Sequence, residues 1–365
     1  MARHRPQLLG AGQKAGRSAG LDYGRRDGAI SSAAASVVQP VLVKRSLRIL
    51  YVPQGFYAID QGVMDALQQH AEVVYSGDPA RMQQQAAELR PDLVLVMNGL
   101  HVFPADHIPQ ITAIREMGIR TAIWFADDPY FTRETSQLVT HYDHIFTHEL
   151  ETIPFYQQLG AANVHYLPLG ANPAMFQAKP VELQYRSDVC FVGQGFWNRI
   201  DILNKVLPAL EGRRVVIAGG LWERLKSFSR YSPWIRPGYM PVEETVNFYN
   251  GAKIVLNIHR TTIPGQDNHN DAGLRGASIN PRTYEISACG TLQLTDMRDD
   301  LVHYYTPGRD LATFKTASQL ISKIRYYLNH EDERRAIAIR GMLRTLREHT
   351  FTARVGTLLD QLGLH

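Results

Sequence analysis

Three side chains in one short segment have the types and spacing to grip a phosphorylated ligand. The run Asn280-Pro281-Arg282-Thr283-Tyr284-Glu285-Ile286-Ser287-Ala288-Cys289-Gly290 is followed by the strand-like Thr291-Leu-Gln-Leu-Thr-Asp296. Asn280 suits an N-cap, Pro281 the first helical position, and Gly290 the left-handed turn that ends a helix. The spacing predicts a short helix whose free N–H groups face the preceding loop, where an anion can bind. Arg282 and Glu285 stand three apart and share one face. A cation for phosphate and a carboxylate for sugar hydroxyls point to a nucleotide-sugar site.

Other constellations sit where strands would end. Phe191-Val-Gly193-Gln-Gly195-Phe-Trp-Asn-Arg199 leaves a strand through a glycine turn into a helix. It reads equally as a tight structural turn or as a phosphate-facing loop with Arg199 as clamp. His259 ends a strand, and residues 260–279 form a long polar loop with glycines at 265, 273 and 276. A loop of that length is either a ligand-facing segment or a surface insertion. Trp124-Phe-Ala-Asp127-Asp128-Pro129 closes another strand with two carboxylates facing opposite ways, for capping or for catalysis. Asn98, His101 and His148 follow neighbouring strands and rim the same expected cleft.

The elements that must position these residues alternate strand and helix from Leu47 onward. Strand-like runs fall at Leu47–Val52, Glu72–Tyr75, Leu93–Met97, Thr121–Phe125, Ile145–Thr147 and Val164–Leu167. A second series falls at Asp188–Val192, Val215–Ala218, Ile254–Ile258, Leu292–Thr295 and Leu311–Phe314. Alternation of this kind predicts an α/β fold with two parallel sheets, each covered by helices on both faces. Ligands then sit beyond the carboxyl ends of the strands, in a cleft between facing domains. The expected division is 46–170, a linker at 171–186, 187–330, and closing helices at 331–365.

Composition excludes several classes. Hydrophobic residues make up 44% and charged residues 20% of 365, as in soluble globular proteins. Residues 1–45 carry eight Lys/Arg against two acids, leaving 31 basic and 33 acidic side chains in the rest. The body is near neutral, which gives no electrostatic case for nucleic acid. The extension reads as disordered; its acid-poor basic composition also fits an organellar targeting peptide or an over-extended start. Cys190 and Cys289 lie in apolar patterns and read as buried thiols of a reducing, cytoplasmic compartment. No run has transmembrane length, which leaves peripheral membrane contact open.

The second half resembles GT-B glycosyltransferases of the family 1/4 type, in the CgeB-like spore-maturation branch. The residues that carry this are Phe191-Val-Gly193, Gly238-Tyr-Met-Pro241, Leu256-Asn-Ile-His259-Arg260 and, above all, Asn280-x-Arg282-x-x-Glu285-x-x-Ala288-x-Gly290. Trp124-Phe-Ala-Asp-Asp-Pro129 is similar to the N-terminal domain of that branch, and His349-Thr350 with Arg354 to its closing helices. The resemblance implies two facing Rossmann-like domains and transfer of a sugar from a UDP- or GDP-type donor to a glycan, cell-surface or protein acceptor. No metal and no further cofactor is implied. Glu285 would bind the donor ribose. Arg199, Asn280 and Arg282 would hold the diphosphate, with Gly193 and His259 beside it, and the backbone at Tyr239–Met240 would meet the base. Independently of the resemblance, the chemistry of transfer makes Asp127 or Asp128 the candidate base toward the acceptor, with Arg282 stabilising the leaving group. The family's acidic motif has a further glutamate where this chain has Ala277, so the alternative is a GT-B protein that binds a nucleotide sugar or glycan without transferring it.

Overall fold

The computed structural model describes residues 5–38 and 40–365. The first sheet is built from β1 (Arg45–Val52), β2 (Ala71–Ser76), β3 (Leu93–Met97), β4 (Arg120–Phe125), β5 (His144–Thr147) and β6 (Val164–Tyr166). Its order is β2-β1-β3-β4-β5-β6, and every pair is parallel. The second contains β7 (Ser187–Val192), β8 (Val215–Gly219), β9 (Ile235–Pro237), β10 (Ala252–Asn257), β11 (Leu292–Asp296) and β12 (Ala312–Phe314). Its order is β12-β11-β10-β7-β8-β9, again all parallel. All five residues of β3 are buried, as two helix-covered faces require.

The closing helices divide between the two sheets. Glu331–Glu348 packs on the second, with Gly341 so close to Asp310 that an added Cβ would stand 2.2 Å from its carbonyl oxygen. The chain then crosses back, and Phe351–Gln361 buries Phe351, Val355, Leu358 and Leu359 in the first core. Phe351 fills the space left by Gly62 on the Tyr57–His70 helix, where a Cβ would lie 2.3 Å from its ring. The two crossing strands of chain meet at an Ala171–Thr350 bridge. This arrangement is the expected pair of facing α/β domains with the C-terminus returning to the first. No described helix is long and apolar enough to cross a membrane.

Three expectations are corrected. Residues Arg5–Ala35 form a helix, where composition predicts disorder. The docked side chains Tyr23, Arg26, Asp27 and Ile30 do follow helical spacing, but three of them are polar, so no hydrophobic periodicity announces them. Arg26 donates to the Asn250 carbonyl (2.8 Å) and Thr291 Oγ1 (3.0 Å), while Asp27 pairs with Arg186 at 3.1 Å. Strand β9 is three residues long and ends in Pro237, too short for a pattern. The 260–279 loop is not a free surface insertion. It straps onto the first domain through Arg133–Asp271 (2.7 Å), Glu134–His269 (2.6 Å), Glu151–Arg275 (3.1 Å) and the Tyr130 carbonyl with the His269 N–H (2.7 Å).

Candidate functional site

Loops from both sheets enclose a cleft of about 310 Å³. From the second domain it is lined by Gly193, Gly219, Tyr239, Met240, Arg282 and Glu285, and from the first by Phe56 to Ile59. Glycine is required at its floor. Gly219 has φ +132° and sits where a Cβ would fall 2.1 Å from the Gly193 carbonyl oxygen, so the β7 and β8 loops are in contact. Gly193, at φ +152°, brings the chain under two guanidinium groups: a Cβ there would lie 3.3 Å from both Arg199 Nη1 and Arg282 Nη2.

Arg282 lines the cleft, and Arg199 is buried beside the same Gly193 turn without lining it. Arg199 is 2% exposed and donates to the carbonyls of Ile258 (2.8 Å) and Gln194 (3.0 Å). Burial, with the Arg282 cation beside it, pulls its pKa down to about 9. Among the described residues neither arginine has a salt-bridge partner. Two like charges held this close favour an anion beside them. Glu285, one turn along the helix, is forced up to about 7 by burial, partly offset by Arg282. Tyr239 stands 77% exposed at the mouth, with the left-handed Gly238 before it, and offers a flat ring.

The helix Pro281–Ala288 forms as its capping residues predict, and Asn280 Oδ1 accepts the Thr283 N–H at 3.1 Å. The Asn280 amide that leads into it is nevertheless not open to a ligand. The Asn280 N–H goes to His259 Nε2 (3.0 Å), while His259 Nδ1 meets Asp296 at 2.7 Å. This pattern makes Nδ1 the donor and Nε2 the acceptor. Burial lowers the pKa of His259, which keeps the ring neutral. Both nitrogens are thus consumed, and His259 with Asn280 orients the helix rather than touching a donor. Sequence reasoning missed Phe56 and Tyr57; the glycine-bearing turn Pro53-Gln-Gly55 after β1 was the available signal.

On the opposite rim the two aspartates part company. Asp127 is reached by Asn98 Nδ2 (2.9 Å) and His101 Nε2 (3.3 Å), and its side chain is 20% exposed. Asn98, Gly99 and His101 all have positive φ, from 50° to 70°, in the turn that presents them. The hydrogen bond to Asp127 raises the His101 pKa. Asp128 is fully buried, accepts from Tyr156 (2.6 Å) and Thr147 (2.7 Å), and is driven by burial to about 7. It cannot meet a substrate and is removed from the catalytic candidates. His148 is buried beneath the rim, with neither ring nitrogen hydrogen-bonded among the described residues. A second cavity of about 480 Å³ opens beside His101, lined by Phe103, Phe131, Glu134 and, from the strap, His269.

Comparison with known proteins agrees with this architecture. Residues 199–360 match the family described as glycosyl transferase-like. Spore protein CgeB of Bacillus subtilis (strain 168) is 27% identical over 316 residues, 84% of this chain and 95% of that protein. Among solved structures, Anabaena HepE in complex with UDP and glucose superposes with TM-score 0.61 at 10% identity, covering 87% and 99% of the two chains. Sucrose-phosphate synthase from Thermosynechococcus elongatus gives 0.57 at 10% identity, with the same coverages. The fold is GT-B, and the chain is similar to CgeB over most of its length.

Proposed function

We propose that this CgeB-like chain, with its GT-B fold and glycosyl transferase-like second domain, moves a hexose from a UDP- or GDP-type donor to a glycan, cell-surface or protein hydroxyl. The observation that carries the proposal is the pair of guanidiniums without a salt-bridge partner among the described residues, Arg199 and Arg282, converging on Gly193, with Arg282 and Glu285 lining the cleft. Arg199 and Arg282 take the diphosphate, Glu285 the ribose hydroxyls, and Tyr239 with Met240 the base. The complex of HepE with UDP-glucose supports a nucleotide-sugar donor in a cleft of this fold.

Transfer breaks the bond from the anomeric carbon to the diphosphate oxygen and forms one to the acceptor oxygen. Positive charge builds on the sugar, and the departing diphosphate gains negative charge. Guanidiniums fixed against that oxygen stabilise the transition state more than the ground state. Because two cations already face the leaving group, the reading needs no metal ion. Asp127 accepts the proton of the incoming hydroxyl, with Asn98 and His101 holding its carboxylate in place. The cavity beside His101 has the size and mixed aromatic and polar lining to seat an acceptor sugar.

One observation favours the second reading, a binder that does not transfer. Position 277 is a 5%-exposed alanine, so no side chain there reaches a donor sugar. A thermal-shift panel separates the readings in two steps. UDP, GDP and their sugars should raise the midpoint through binding to the native state, with EDTA without effect and Glu285→Ala weakening the shift. The absence of a shift with any nucleotide overturns the donor site. Slow hydrolysis of the bound donor, lost in Arg282→Ala, then marks an enzyme; binding without turnover marks a binder.

A further inference from the structure

Two of the amides that lead into the Arg282 helix, those of Ala277 and Ser278, are held by the other domain. Glu149, which follows β5 in the first domain, is 2% exposed and has no cationic partner among the described residues. Its Oε1 accepts the N–H of Ala277 at 2.8 Å, and its Oε2 that of Ser278 at 3.1 Å. The Glu151 N–H completes the set at 3.0 Å. A carboxylate buried with neither water nor a cation is costly unless such donors surround it. Ala277 and Ser278 are themselves buried, 5% and 6% exposed, so their N–H groups have no solvent to fall back on. Each side satisfies a group that the other cannot leave bare.

The contact is continuous with the donor machinery. The next two amides, Ile279 and Asn280, are taken by Asp300 (3.0 Å) and His259 (3.0 Å), and Arg282 follows two residues on. The Ser278 hydroxyl accepts the Leu150 N–H at 3.0 Å, and Tyr166 of the first domain donates to Asp300 at 2.6 Å. We infer that Glu149 is a positioning residue of the donor site: bound across the domain interface to the 277–278 amides, it sets where the helix presents Arg282 and Glu285. Donor binding and domain closure then depend on one another. The inference rests on the proposed donor site, but its contact can be tested without it.

The experiment compares the full chain with Glu149→Gln and Glu149→Ala, reading UDP affinity by calorimetry and the radius of gyration by small-angle scattering. Glu149→Ala should bind UDP about tenfold more weakly, a usual size for coupling between sites, and should scatter as a more open particle without ligand. Glu149→Gln keeps the shape and one acceptor oxygen and should fall between, about threefold weaker, which separates a lost contact from a lost fold. Unchanged affinity and unchanged scattering in both variants overturn the inference and leave the donor site standing. Tighter UDP binding in Glu149→Ala also overturns it, since Glu149 would then occupy a ligand's place. If the unmodified chain binds no nucleotide, the proposed function falls, and the scattering arm alone decides whether Glu149 ties the domains.

Discussion

The two sheets share strand number, parallel pairing and helical cover, yet their rims are finished in opposite ways. On the second domain two guanidiniums without a salt-bridge partner among the described residues, Arg199 and Arg282, meet over a glycine turn. On the first domain nearly every polar group is already spent. Asp128 is bound by Tyr156 and Thr147, Glu149 by three amides, and Asp127 by Asn98 and His101. The first arrangement stores electrostatic free energy for a ligand to release, and the second stores geometry. The proposed donor rim is therefore expected to govern affinity and Asp127 to govern rate, with Glu149 acting on affinity only through the helix that it holds.

Removing a donor-side cation is the harshest test of that contrast. Arg282→Ala should cost about 100-fold or more in donor hydrolysis and abolish measurable UDP binding, because the diphosphate loses a charge-assisted clamp. Asp127→Asn should lower transfer to an acceptor by about 100-fold, the range for general-base loss, while UDP affinity stays put. If Asp127→Asn weakens UDP binding as much as Arg282→Ala does, the division of labour between the rims is wrong.

Two carboxyls raised by burial sharpen the comparison through pH. Glu285 sits near 7, so acidification through that value protonates it and should weaken UDP binding about tenfold; Glu285→Gln should flatten the profile. For stability the sign is reversed. A carboxyl raised in the folded state holds a proton between about 4.5 and about 7 that the unfolded chain has released, so its contribution declines as pH rises through this window. Glu285→Gln should gain on the parent chain by ~2 kcal/mol between pH 5 and 8, less than the full shift because the cleft is wet. Asp128, also raised to about 7, should show the same stability trend with no effect on UDP. Asp128→Asn that changes UDP affinity would mean the buried carboxyl does reach the ligand.

The difference between the rims also explains what was legible in the chain. Eleven of the strands announce themselves as apolar runs, because a buried parallel strand has no polar face to interrupt it. The cap Asn280, Pro281 and the Arg282/Glu285 spacing are local features, and the helix forms as they predict. What depends on long-range contact was not legible. Asp127 and Asp128 are adjacent and chemically identical, and partners 19 and 28 residues away, Thr147 and Tyr156, hold the one that is buried. His259 reads as cleft-facing until Asp296 and the Asn280 amide claim both its nitrogens. The N-terminal helix docks through polar side chains, for which hydrophobic periodicity has no signal.

That helix supplies the mildest test, because it supports the donor rim from behind without lining it. Arg26 donates to the Asn250 carbonyl and to Thr291 Oγ1, and the same hydroxyl donates to the Tyr249 carbonyl at 2.8 Å. Tyr249 in turn lines the donor cleft. Arg26→Ala leaves the Asn250 carbonyl without its charged donor, which should cost about 1–2 kcal/mol of stability. Thr291 keeps its bond to Tyr249, so the cleft wall should hold and UDP affinity should change by less than about threefold. The measurement is a paired melt and titration of Arg26→Ala. A large loss of UDP binding at nearly unchanged stability would make the N-terminal helix part of the proposed donor site, and the contrast between the two rims would fail on the donor side.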